Sequence, residues 1–262
     1  MEANIVYVVG DGFLSFSKNA NVISLSGFKE MILLPRIGKA RNGFYILGQG
    51  IAKQKIDEIK TLIKKNKITD IVIKEHHNEK EENKYVHKKV SENVMISKPI
   101  VIRDNLFFSQ LMIDDRCSEM SDHMTGQHVQ GMVLIEAARQ MALSVSENFL
   151  LSESERFNSY FILSNMDAQF KQFLFPTDVE LQCALIRCEK ISSGKFSADF
   201  VITFTQNNVV CMEVMIGLMA DEKTALEKKE SRLANFSLKM AVAKQEENLT
   251  GFCNELEAIG EK

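Results

Sequence analysis

The chain has 262 residues, 45% hydrophobic and 26% charged, with a formal net charge of −3. Those proportions are ordinary for a globular protein with its own core, and the length suffices for one large domain or two small ones. The charge balance does not ask for nucleic acid, no apolar run is long enough to span a bilayer, and MEANIVYVVGDGF lacks the basic start of a secretory signal.

Residues 1–75 read as a small α/β domain. NIVYVVGDGFLSF opens with a β-rich run ending in glycines, and NVISLS and FKEMILLP follow as candidate strands. FYIL is a further short strand, Gly48-Gln49-Gly50 a turn, and IAKQKIDEIKTLIKKN an amphipathic helix striped by Ile51, Ile56, Ile59, Leu62 and Ile63. ITDIVIKE then completes a βαβ-like order. A glycine turn before a helix can hold a phosphate. GQG is shorter than the dinucleotide fingerprint, so a tight strand-to-helix turn is the plainer reading. Residues 76–85 begin HHNEKEENK, all polar or charged, and read as an exposed linker in which His76 and His77 are a surface pair rather than metal ligands.

Residues 86–220 read as a second, α+β domain. VHKKVSENVMI alternates loosely like a strand, and KPIVIRDNLFFSQLMID reads as a strand pair or one long strand bent near Asp104-Asn105. Between Asp122 and Phe149 a short polar loop runs into a segment that is apolar nearly all round, from Met132 to Val145, which predicts a helix buried on most sides. Long strands follow, separated by turns at Pro176-Thr177-Asp178, Ser192-Ser193-Gly194 and Asn207-Asn208. One buried helix with a meander of antiparallel strands must be a helix wrapped by its sheet, the hotdog arrangement. Residues 221–262 are charged and helix-prone, and read as one or two surface helices packing on their own domain. Five cysteines (Cys117, Cys183, Cys188, Cys211 and Cys253) without CxxC spacing read as reduced thiols of a cytoplasmic protein, not a disulfide frame or a zinc site.

GMVLIEAARQ, preceded by an Asp-His loop and further back by VHKKVSENVMI, resembles the A-factor biosynthesis hotdog family (AfsA-like). That family has a Val-His-(Lys/Arg) start to its first strand and a Glu-Ala-x-Arg-Gln signature on its helix. More distantly, the stretch is similar to β-hydroxyacyl-ACP dehydratases: Gly131, Glu136, Ala137 and Gln140 keep their Gly, Glu, Ala and Gln spacing. His123 falls near the dehydratase histidine, with a loop one residue shorter, and Gln130 stands where those enzymes have proline. The likeness covers about residues 86–220. The γ-butyrolactone synthases of the family usually carry two repeats; only one GMVLIEAARQ-type helix occurs here, so two chains are expected to pair as a homodimer.

The resemblance implies chemistry on acyl thioesters. The helix start at Gly131 and Met132 would offer backbone N–H groups to a thioester oxygen. Glu136, in an apolar surround, is expected to have a raised pKa and to act as acid or base, with His123 sharing the proton work, His128 as second choice and Asp122 orienting either ring. Arg139, three residues after Glu136, either forms an internal ion pair with it or binds a substrate anion such as a phosphate. Gln140 holds the Glu136 carboxyl, and His87 is structural. No cofactor or metal is implied. The first reading is transfer of a β-ketoacyl group from acyl carrier protein to a small phosphorylated hydroxyl acceptor, feeding an autoinducer-like signal or another secondary metabolite. The alternatives are a dehydratase or thioesterase acting on an ACP or CoA thioester, and a non-catalytic acyl- or partner-binding protein.

Overall fold

In a computed structural model, residues 4–33, 43–75, 78–121 and 125–260 are described. The N-terminal region is an α/β layer: β1 (Ile5–Val9), β2 (Val22–Ser24), α1 (Leu25–Leu33), β3 (Gly43–Leu47), α2 (Lys53–Lys65) and β4 (Ile71–Lys74). Its strands form one parallel sheet in the order β2-β1-β3-β4. The segment expected as a strand at FKEMILLP is, up to Leu33, the helix α1. Leu25, Phe28 and Ile32 recur at helical spacing and all three are buried. Residues 34 and 35 of that segment lie outside the described residues. The stripe foreseen on α2 packs with them: Ile51 and Ile59 are in the core formed with Val8, Phe28 and Tyr45, and Ile56, Leu62 and Ile63 lie against it.

The second region is the wrapped helix. α4 (Gly131–Val145) continues through one π-helical turn (Ser146–Leu150). Around it lies a six-stranded antiparallel sheet made of β5 (Ile100–Arg103), β6 (Leu106–Gln110), β7 (Ser159–Phe170), β8 (Glu180–Ser192), β9 (Lys195–Gln206) and β10 (Val209–Glu222), in the order β5-β6-β8-β9-β10-β7. The short helix α3 (Ser118–Ser121) lies between β6 and α4. Strand β9 alternates along its whole length between buried and half-buried residues, and its buried set, Phe196, Ala198, Phe200, Ile202 and Phe204, faces the helix. Asn207 and Asn208 both take positive φ, 52° and 63°, in the tight turn their side chains favour.

Three expectations change here. VHKKVSENVMI is not a strand. It is two 3-10 turns, Asn83–Val86 and Ser91–Asn93, followed by an extended run in which Val94, Met95 and Ile96 are fully buried. His87 sits in the left-handed region at φ 54°, which breaks the alternation a strand would need. The stretch expected as an exposed linker over 76–85 is docked in its described part: Lys80 bridges Ser97, and Glu81 is buried. His76 and His77 lie outside the described residues. The C-terminal segment is one helix, α5 (Lys223–Gly260), and it does not pack back as expected; Leu226 is buried at its start, whereas Leu233, Phe236 and Met240 are exposed.

The Gly48-Gln49-Gly50 turn joins the two regions rather than cradling a phosphate. Its three N–H groups go to Val8, Pro176 and Ile113 carbonyls at 2.8, 3.0 and 3.0 Å. The Gln49 side chain is buried: Nε2 donates to Leu111 O at 2.9 Å and Oε1 accepts from Ile113 N at 2.8 Å. A Cβ on Gly10 would lie 1.7 Å from Gly50 O, so the two turns meet backbone to backbone. Val9 and Phe13 belong to the same hydrophobic core as the wrapped helix.

Candidate active site

α4 is apolar on most of its circumference, with Val133, Ala137, Ala138, Met141, Ala142 and Val145 fully buried. Its remaining face is polar and also mostly buried. Glu136, Gln140 and Ser144 recur at intervals of four, and Glu147, in the π turn, stays near that face. What they meet is the segment from Glu81 to Met95. Gln140 is the pivot: Oε1 accepts from Met95 N at 2.8 Å, and Nε2 donates to Asn93 O at 2.8 Å and to Glu136 Oε1 at 3.0 Å. Glu81 accepts from Ser144 Oγ and from Asn148 Nδ2. His87 Nε2 lies 2.8 Å from Glu147 Oε1, and Glu147 Oε2 accepts from Phe157 N at 3.1 Å.

The Glu136 carboxylate is the most heavily paired group of this seam. Arg139 grips it with Nε and Nη2, both at 2.8 Å, and Lys88 Nζ lies 2.9 Å from Oε1. Lys88 also reaches Glu119 at 2.9 Å, so the four charges alternate in sign and cancel. Burial pushes the Glu136 pKa up, but the fork of Arg139, the Gln140 amide and Lys88 outweigh it and hold it at about 2. This overturns the expected raised pKa. The apolar run visible in the sequence hid two cations that fold onto the carboxylate. Glu136 is therefore ionised at neutral pH. It has no proton to give, and as a weak base it accepts one poorly. The Glu136 hydrogen bond raises the Arg139 pKa further. Of the two roles foreseen for Arg139, the internal ion pair is the one formed.

At the other end of the seam, the helix start is open. Gln130, the N-cap, makes no side-chain cap, and the first bond into the helix is Leu134 N to Gln130 O at 3.3 Å. Among the described residues the N–H groups of Gly131, Met132 and Val133 thus have no partner. The buried Nε2 of Gln130 has none either. The Phe170 ring of β7 covers Gly131, where a Cβ would meet it at 2.9 Å, while Met132 is exposed. His128 stands just before: Nδ1 lies 3.3 Å from Thr125 Oγ1, and its ring packs on Phe173 at 4.8 Å. No hydrogen bond joins His128 to Glu136 or Arg139 among the described residues. Asp122 and His123 lie outside the described residues. The space against His128, Val129 and Gln130 is about 10 Å³, room for about one water and not for an acyl chain.

Sequence reasoning placed Glu136, Arg139 and Gln140 together, as they are. It missed Lys88, Glu119, Glu81 and the His87–Glu147 pair. The available signal was the four-residue recurrence of polar residues in an otherwise apolar helix, which requires a polar partner inside the protein.

The sequence profile of the A-factor biosynthesis hotdog domain matches residues 71–220. The chain belongs to the A-factor biosynthesis hotdog family. No curated protein matches it. Among solved structures, a mutant thioesterase from Pseudomonas aeruginosa is similar at 12% identity, covering 48% of this chain and 81% of that one with a TM-score of 0.38. A thioesterase from Haemophilus influenzae is similar at 14% identity, covering 52% and 83% with a TM-score of 0.37. Likeness this remote carries no argument about the reaction of this A-factor-type hotdog. Among the described residues no helix is long and apolar enough to cross a membrane.

Proposed function

We propose that the protein acts on acyl thioesters and transfers a β-ketoacyl group from an acyl carrier protein to a small phosphorylated hydroxyl acceptor. Family membership over residues 71–220 carries this reading. The open start of α4 supports it: its first three N–H groups and the buried Gln130 amide, without partners among the described residues, are donors that a carbonyl oxygen gaining charge would use. Transfer needs a base for the acceptor hydroxyl. His128, an imidazole beside that helix start, takes this role, with His123 as its replacement. Glu136 is not the acid or base; with Arg139, Lys88 and Gln140 it fixes α4 against the segment that precedes β5. Its ionisation at neutral pH argues against dehydration that would ask this carboxyl to donate a proton. The acyl chain lies across a wall supplied by a second chain of a homodimer, since the space that the described residues leave against His128, Val129 and Gln130 is about 10 Å³.

Mass spectrometry of products tests this. The protein is mixed with β-ketoacyl and β-hydroxyacyl carrier proteins, with and without dihydroxyacetone phosphate. Acceptor-dependent loss of the β-ketoacyl group into a new ester supports transfer, and His128→Ala should slow it by roughly 10²–10⁴-fold. Release of free acid without the acceptor indicates a thioesterase, and loss of water from the β-hydroxyacyl chain indicates a dehydratase.

A further inference from the structure

Between α2 with the end of β3 and the segments 75–80 and 112–114 lies a second cavity, away from the start of α4. It holds about 570 Å³, within the usual range for small-molecule sites. One wall is α2 and the end of β3, with Leu47, Ile51 and Ile56; the other is Met112 and Ile113, just after β6. Lys80 lies in this cleft with its backbone fixed by the bridge to Ser97.

The charges of the cleft are unevenly committed. Glu75 is held by Lys60 at 2.6 Å, and Asp114 accepts from Arg116 N at 2.9 Å and from its Nε at 3.3 Å. Lys80, in contrast, makes no hydrogen bond or ion pair among the described residues, although burial already lowers its pKa. Lys53 also lines the cleft, on the first turn of α2, where the helix field opposes rather than favours a cation. Asp114 and Glu92 attract Lys80 without a hydrogen bond to it and do not offset its burial, which leaves room for a direct negative partner beside it, next to an aliphatic wall. Glu75 and Glu79 at the same cleft disfavour a doubly charged group.

We propose that this cleft binds a small monocarboxylate with an aliphatic body. The carboxylate pairs with Lys80, and the body lies between Ile51 and Ile56 on one side and Met112 and Ile113 on the other. The site does not depend on the acyl-transfer reading.

The test is a titration of the full chain with hexanoate, octanoate, hexyl phosphate and hexanol, read by melting temperature and by methyl NMR of the isoleucines and methionines. Hexanoate and octanoate should raise the melting temperature in a saturable way and shift the Ile51, Ile56 and Met112 methyls. Hexanol should bind more weakly. Lys80→Met should weaken octanoate by at least about tenfold, the worth of one charge-assisted hydrogen bond, while Lys98→Met should leave it unchanged. The Lys80→Met spectrum without ligand shows whether the fold is kept; if it is not, Lys80→Gln replaces it, with the same expected loss. Equal binding of hexanol and hexanoate, undiminished binding by a folded Lys80 variant, shifts at methyls outside the cleft, or tighter binding of hexyl phosphate would each overturn the proposal. So would no response at millimolar octanoate.

Discussion

Replacing Glu136 by Gln separates a structural carboxylate from a proton carrier. The side chain keeps its shape, yet the charge that compensates Arg139 and Lys88 is gone. Lys88 retains Glu119, but the only hydrogen-bonding partner that the described residues give Arg139 is Glu136. Breaking a fully buried pair costs about 3–5 kcal/mol. Arg139 and Lys88 keep 30% and 17% of their side-chain exposure, and solvent reduces the cost. An independent figure comes from ionisation. A pKa held at about 2 against an ordinary 4.5 corresponds to about 3 kcal/mol at 1.36 kcal/mol per pKa unit. The two routes agree on about 3 kcal/mol, or roughly 6–12 °C in melting temperature for a chain of this size. Because the folded pKa is depressed, the contribution is complete above about pH 4.5 and is lost as pH falls toward 2. The gap between the wild-type and Glu136→Gln melting temperatures should therefore be full at pH 7 and narrow steadily below pH 4.5. Calorimetry across that range reads it directly. A variant that melts like wild type at pH 7 but has lost 10²-fold or more in turnover would refute the structural assignment and restore Glu136 as the acid or base.

Gln140→Leu removes three hydrogen bonds, leaving the buried Met95 N–H and the half-buried Asn93 C=O without that partner; a loss of about 2–4 kcal/mol is expected in chemical denaturation. Gly10→Ala puts a methyl 1.7 Å from the Gly50 carbonyl, so the turns after β1 and β3 must part, and faster proteolysis between residues 48 and 53 should report it. Among the described residues strand β7 pairs only with β10 and leaves a twelve-residue outer edge with Tyr160, Leu163 and Phe170 exposed. Sedimentation should find a dimer at micromolar concentration, and Leu163→Lys should shift it toward monomer; wild type sedimenting only as monomer would rule the pairing out.

The wrapped helix and its strands were legible because their patterns are local. A segment apolar all round has no solvent face, and Asn207-Asn208 and Ser193-Gly194 are turn chemistry that needs no tertiary information. Misreadings arose where tertiary contacts decide. FKEMIL carries the apolar content of a strand, and only the spacing of Leu25, Phe28 and Ile32 betrays the helix. HHNEKEENK looked solvated, yet Glu81 within it is buried against Ser144 and Asn148. At the site, adjacency on one helix gave Glu136, Arg139 and Gln140. Lys88 lies 48 positions before Glu136 and reaches it only through the fold.

The polar seam also explains why Val86-His87-Lys88 and Glu136-Ala-Ala-Arg139-Gln140 occur together in one chain. Lys88 closes on Glu136 at one end of the helix face, while the preceding residue, His87, closes on Glu147 three turns later. Adjacent side chains can reach such separated partners only if the chain between them turns sharply, and the left-handed φ of His87 supplies that turn. Phe157, held by the other oxygen of Glu147, is likewise at positive φ, 64°. For a bulky residue this conformation costs of order 1–3 kcal/mol. The π turn carries Glu147 to a position from which one carboxylate holds both strained residues. The two motifs are thus halves of one clamp: Glu136 and Glu147 hold Lys88 and His87, and Gln140 both accepts from and donates to the backbone before β5. The clamp aligns the helix within its sheet and, among the described residues, leaves the N–H groups of Gly131, Met132 and Val133 without partners.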